Sequence, residues 1–259
     1  MALSATDFPL TAAHTAHLTI VPSTGSTNAD LAAHSADVHG WPHLSVLMTD
    51  DQRSGRGRLD RSWHAPAGTA LALSVLIRAA EVPEAARGWI PLIAGLAMTE
   101  SIAAQLGAGV TAKWPNDVLV GEKKICGILA EISSHGDAIV VGSGVNTAMT
   151  AEQAPVETAT SFAMQGKPAH LDLLVSHYLG RLSAELAALR ETAGDATASG
   201  LRDRFAAVCS TIGKVVTIHL PGGQSYTGDV VGIDPDGRLQ VMVDGSTRTV
   251  SAGDVVHVR

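Results

Sequence analysis

Cysteine is nearly missing from this chain of 259 residues: Cys126 and Cys209 alone cannot build a disulfide framework or a four-ligand zinc site. A reducing, cytoplasmic setting is the expectation that follows. No run reaches the roughly eighteen apolar residues of a membrane span, and the N-terminal stretch lacks the basic and apolar regions of an export signal. Long Lys/Arg tracts are absent too. With a formal net charge of −7, the chain is not expected to bind DNA or nucleic acid in general through a broad basic face. The phosphate loop ending in Gly-Lys-Ser/Thr does not occur, and the segment Gly142-Ser143-Gly144-Val145-Asn146 lacks the third glycine of a dinucleotide fingerprint. No serine elbow is found. His14, His17, His34, His39 and His43 have no His-Glu-x-x-His motif or Cys/His set beside them, which disfavours a metal centre of that kind.

What is present is a globular composition, 46% hydrophobic, in a length that allows one full-sized domain and a small appendage. Ser26-Thr27-Asn28 with Asp30 reads as a helix opening. Short apolar runs on either side of residues 51–63 read as strands, so that segment is a loop between them. Trp89, Leu92, Ile93, Leu96 and Ala97 fall at helical spacing, and a strand meander follows through Asn146, punctuated by Pro-Asn-Asp, Gly-Glu-Lys and His-Gly-Asp turns. Helices are expected again at 171–189 and 201–209. Beyond Gly213, short β-rich runs separated by Pro-Gly-Gly, Pro-Asp-Gly and Asp-Gly-Ser point to a small five-stranded barrel. The division expected is 1–211 for the main domain and 212–259 for the barrel.

Three segments offer chemistry. In residues 51–63, Arg53, Arg56, Arg58 and Arg61 are interleaved with Gly55 and Gly57, which suits either a loop that wraps an anion or a solvated basic turn. In Lys-Trp-Pro-Asn-Asp and the strand after it, Lys124 and Gly127 form either a point charge beside a close ligand approach or a plain hairpin tip with a bulge. The third segment is the glycine-containing strand end at Asn146.

Taken together and in order, "GSTNADL", "QRSGRGRLDRSWHAP", "KWPNDVLVGEKKICGILAE" and "VVGSGVN" resemble the biotin protein ligases, the biotin–acetyl-CoA-carboxylase ligase or holocarboxylase synthetase family. The likeness covers most of the chain, and the Gly-Arg-Gly-Arg loop with Lys-Trp-Pro-Asn-Asp at this separation is its specific part. It implies an α+β fold: a mixed, mainly antiparallel sheet with helices on one side, then an SH3-like β-barrel. The activity implied makes biotinyl-5′-AMP from biotin and Mg·ATP, then passes biotin to a lysine of a biotin carboxyl carrier domain. Some members carry an N-terminal winged helix and act as repressors. Only about twenty residues precede the first ligase-like segment here, so that module is not expected.

By the same resemblance, Ser26, Thr27 and Gln52 hold the polar ring of biotin, Gly55 and Arg56 close over it, and Gly127 leaves it room. Trp63, grouped with the ATP-binding residues, walls the pocket or anchors the loop; Arg58 and Arg61 order around phosphates; Lys124 serves both biotin and phosphoryl group. Lys113, Asn116, Asp117 and Asn146 fall to the nucleotide side, with Asp117 the candidate Mg2+ ligand. Lys124, Arg56 and Arg58 are the expected catalytic groups. Competing readings are a lipoate or octanoate ligase of related architecture and a non-catalytic biotin-binding module. A homodimer is compatible with the sequence, because a sheet edge can pair between subunits.

Overall fold

Alternation of side chains, and the places where it fails, organise the main sheet. The computed structural model describes residues 3–58, 61–219, 224–251 and 254–257. A single turn of helix, α1 (Pro9–Ala12), precedes β1 (Leu18–Ile20), α2 (Thr27–Ala33) and β2 (Ser45–Thr49). The arginine-rich segment folds into a minimal hairpin of β3 (Gly55–Arg56) and β4 (Ser62–Trp63), and β5 (Ala70–Arg78) follows. Helix α3 (Ile90–Leu106) leads to β6 (Val110–Lys113), β7 (Asp117–Val120), β8 (Lys123–Ile132) and β9 (Ala138–Asn146). Then come α4 (Leu171–Glu191) and α5 (Leu201–Val208).

The large sheet has seven strands in the order β1-β2-β5-β9-β8-β7-β6. β1 runs parallel to β2, and every other pair is antiparallel. Third in that order is β5, buried along its whole length, as its nearly unbroken apolar sequence requires of a strand covered on both faces. Neighbouring residues of β9 show what covers each side. The Ser143 hydroxyl meets the Tyr178 phenol of α4 at 3.5 Å, whereas Gly142 lies under Asn28 of α2. The long helices therefore lie on one face, and the seven-residue α2 occupies part of the other. Helix α3 is buried nearly all round, with Leu92, Ile93, Leu96 and Ala97 in the main core. With the 3-10 turn before it, it is long and apolar enough to cross a membrane, yet 67% of that window is packed inside the protein.

The second sheet, β10 (Val215–His219), β11 (Ser225–Ile233), β12 (Leu239–Val243), β13 (Ser246–Val250) and β14 (Asp254–His257), is antiparallel in the order β13-β12-β11-β10-β14 and SH3-like. The expected Pro221-Gly222-Gly223 turn lies outside the described residues. The β11–β12 turn docks on the main domain. Trp89 donates its indole N–H to the Pro235 carbonyl at 2.8 Å, and Trp114 donates to that of Gly237 at 3.0 Å. Buried Asp234 shapes the turn by accepting the N–H groups of Asp236 and Arg238, each at 2.9 Å. Gly237 has φ 82°, and a β-carbon there would stand 3.1 Å from Leu92, so the close approach depends on glycine.

Candidate active site

The face opposite the long helices carries a cavity of about 170 Å3, and its floor is nearly bare of side chains. Ala72 of β5 pairs with Gly144 of β9, and Gly144 with Gly127 of β8. The missing β-carbons are occupied space: one on Gly144 would fall 2.6 Å from the Trp63 indole, and one on Gly127 only 2.8 Å from Lys124 Nζ. Each glycine lets a side chain from elsewhere lie flat on the sheet.

One end of the cavity is polar. Ser26 caps α2, its hydroxyl accepting from the Ala29 N–H at 3.4 Å. Thr27 donates through its N–H and its hydroxyl to Gln52 Oε1, at 2.8 and 3.1 Å. This contact turns the Gln52 amide nitrogen toward Gly55, where a β-carbon would collide with it at 2.5 Å.

Lys124 reaches the cavity through an irregularity. Opposite Val118 and Leu119 of β7 stand Cys126 and Lys124, so β8 carries Ile125 as one extra residue. Without that bulge, Lys124 would alternate onto the face of the long helices. With it, Lys124 shares the cavity face with Gly127 and Asp117. The ammonium lies 2.6 Å from Asp117 Oδ1, a buried oxygen that it pairs with directly. The backbone of Lys124 is gripped as well: its N–H donates to the Thr158 carbonyl at 2.7 Å, and its carbonyl accepts from Thr160 at 2.8 Å. Cys126, two residues on, faces the core, and burial pushes its thiol up to about 12, so it is no nucleophile at neutral pH.

The arginines take different places. Arg56, Arg58 and Arg61 line the cavity, whereas Arg53 turns back to Asp51 at 2.8 Å, and its hydrogen bonds hold that carboxyl below the usual range. Arg58 donates to Asn116 Oδ1 at 3.2 Å, and Asn116 in turn donates to the Ile128 carbonyl at 2.9 Å. Arg56 pairs with Glu131 at 3.0 Å. Three guanidinium groups and one ammonium thus converge over a glycine floor beside a polar end, which suits a ligand with several negative oxygens.

Of the residues expected from sequence, Ser26, Thr27, Gln52, Arg56, Arg58, Arg61, Trp63, Asn116, Asp117, Lys124 and Gly127 all line this cavity. Gly55 lies under the hairpin against Gln52 and Trp63. Lys113 and Asn146 are outside the lining. Lys113 sits opposite Asp117 in the β6–β7 ladder, and the Asn146 amide donates to the Thr160 carbonyl at 2.8 Å, supporting the segment that grips Lys124. Sequence reading missed Asn28, Ser74 and Glu131. Asn28 stands inside the first motif and Glu131 ends the third, but nothing in their spacing announced that they meet. Among the described residues, no three His, Cys, Asp or Glu side chains converge as a metal site.

Two family profiles match this chain: the biotin/lipoate A/B protein ligase family over residues 20–146 and the biotin protein ligase C terminal domain over 211–258. A biotin–[acetyl-CoA-carboxylase] ligase of Mycobacterium tuberculosis is 39% identical over 248 residues, covering 93% of this chain and 89% of that one. A bifunctional ligase/repressor of Escherichia coli is 30% identical over 91% of this chain and 72% of its own length. The biotin protein ligase of Aquifex aeolicus, solved with biotin and ATP, superposes with a TM-score of 0.78 at 26% identity, covering 94% of this chain and 99% of that one.

Proposed function

This chain belongs to the biotin protein ligases, and we propose on that footing that the glycine-floored cavity is where it joins biotin to ATP and then to a carrier lysine. In the first step a biotin carboxylate oxygen attacks the α-phosphorus of ATP, and pyrophosphate leaves. In the second, the neutral amine of a lysine on a carboxylase carrier domain attacks the acyl carbon of biotinyl-5′-AMP; AMP departs and the amine gives up a proton. Both steps gather negative charge at one point, and fixed cations that need no rearrangement lower that cost most effectively.

The convergence of Arg56, Arg58 and Lys124 over the bare floor is the observation that carries this reading. Ser26, Thr27 and Gln52 then take the polar ring of biotin, with Gly55 and Trp63 closing above it and Gly127 leaving space below. Lys124 stands at the junction of carboxylate and α-phosphate. Arg58, Arg61 and Asn116 serve the phosphate and nucleotide side; Lys113 and Asn146, outside the cavity lining, act there by supporting their neighbours. A Mg2+ ion delivered with ATP would be held by the Asp117 carboxylate through the oxygen not facing Lys124, with the nucleotide phosphates and water completing its shell. Such an ion would neutralise phosphate charge. The two cysteines are free, buried thiols, in keeping with a cytoplasmic enzyme.

ATP–pyrophosphate exchange tests the reading. Exchange should depend on biotin and not on lipoate or octanoate, and the loaded enzyme should biotinylate an isolated carrier domain. Exchange supported equally by all three acids, or by none, would refute it.

A further inference from the structure

The reaction as described leaves unused a carboxylate on the rim of the cavity. Glu131 points to the same face of β8 as Gly127 and Leu129, and it holds two site side chains at once. Asn28 Nδ2 donates to it at 2.7 Å, and the Arg56 guanidinium reaches its two oxygens at 3.0 and 3.2 Å. Asn28 is itself fixed from behind. The Ser74 hydroxyl donates to its Oδ1 at 2.6 Å, and its amide also donates to the Leu129 carbonyl at 3.2 Å.

This chain runs from β5 through α2 to β8 and out to the hairpin, crossing β9 on the way. The crossing is open only because β9 has Gly142 there: a β-carbon at that position would collide with the Asn28 side chain. The Arg56 side chain is 55% exposed, so without a partner it would sample many rotamers over the cavity mouth. Half-exposed ion pairs add little to folding stability, so the contribution of Glu131 lies in where the guanidinium is held.

We propose that Glu131 is a positioning residue of the ligase: it aims Arg56 over the cavity before ligand arrives, so that the arriving carboxylate meets a guanidinium already ordered. The proposal rests on the ligase reading above. Its alignment comes from preorganisation, which favours ligand retention without any new contact to the ligand.

Glu131→Gln separates the roles, since its amide oxygen still accepts from Asn28 while the charge facing Arg56 is gone. In the full chain, this variant should keep the wild-type melting temperature. Trypsin should cut the unliganded protein after Arg58 and Arg61 several-fold faster, and biotinyl-AMP should escape about tenfold faster, the size expected when two groups in contact are uncoupled. KM for biotin should rise more than kcat falls. In an Arg56→Ala background the same substitution should have no further effect on release. Wild-type cleavage, wild-type adenylate release, or a loss that persists undiminished without Arg56 would each overturn the proposal. A wild-type protein with no biotin-dependent exchange would overturn the ligase reading instead, and the tryptic comparison would still decide whether Glu131 orders the loop.

Discussion

The proposed function assigns Lys124 to both chemical steps, and the surroundings of this side chain say what its loss would do. Its side chain is partly exposed and stands at the cavity and not in the core, so the fold rests little on it. Lys124→Ala should slow biotinyl-AMP formation by about a hundred- to a thousandfold, the usual cost of removing one oriented charge-stabilising group, with an unchanged melting curve. Arg58→Gly removes a cation from the cavity together with its bond to Asn116, and adds backbone freedom. Its expected signature is a shorter lifetime of bound adenylate in rapid dilution, even where synthesis survives. Far from the site, His43 accepts the Arg78 N–H on Nδ1 at 3.2 Å, and burial lowers its pKa, reinforced by Arg190 and Arg78 and opposed by Glu81. The folded form therefore prefers the neutral ring. Stability from this group is complete above the ordinary histidine value of about 6.5 and is lost as pH falls below it toward the folded value. His43→Gln should flatten the fall in melting temperature over that window.

At the scale of the element, the β8 bulge decides which face of the sheet receives charge. Deleting Ile125 sets Lys124 directly before Cys126, so simple alternation keeps its ammonium on the cavity face with Gly127, and what is lost is the buried Ile125 side chain and the bulge it makes. Such a variant should melt at a lower temperature, from the lost core side chain, while Ile125→Val should fold and remain active. This explains why the sequence was only partly readable. Lys124 and Gly127 were recognisable as a pair, yet their odd spacing in a regular strand puts them on opposite faces, and only the extra residue reunites them. The loop of arginines was legible from composition, but not its division of labour, because Arg53 pairs locally with Asp51 while Arg56 finds a partner 75 residues away. Long-range contacts of that kind leave no periodic trace, which is why Asn28, Ser74 and Glu131 went unread. The assignments of Lys113 and Asn146 rested on motif membership; strand alternation puts both on the cavity's face, with Asp117 and with Gly144, but beyond its lining.

Across the whole molecule, the Lys-Trp-Pro-Asn-Asp segment faces two ways. Asn116 and Asp117 enter the cavity, while Trp114 holds the β11–β12 turn of the second sheet, and its own N–H is taken by the Thr211 hydroxyl at 3.1 Å. Seating of the small sheet and placement of Asn116 and Asp117 in the cavity are thus one structural event. Trp114→Phe keeps the ring and leaves the Gly237 carbonyl without its donor, at a cost of about 1–3 kcal/mol. KM for ATP should rise several-fold in this variant while calorimetric affinity for biotin stays at the wild-type value; a matching loss for both ligands would argue against the linkage. The chain's four tryptophans also occupy optically distinct surroundings. Trp41 lies between the imidazoles of His34 and His17, at 4.4 and 4.2 Å, Trp89 and Trp114 are sealed inside, and Trp63 alone lines the cavity. Ultraviolet emission of the unlabelled protein should shift on addition of biotin, and Trp63→Phe should abolish that shift, so the difference between the two spectra is a built-in gauge of how full the cavity is.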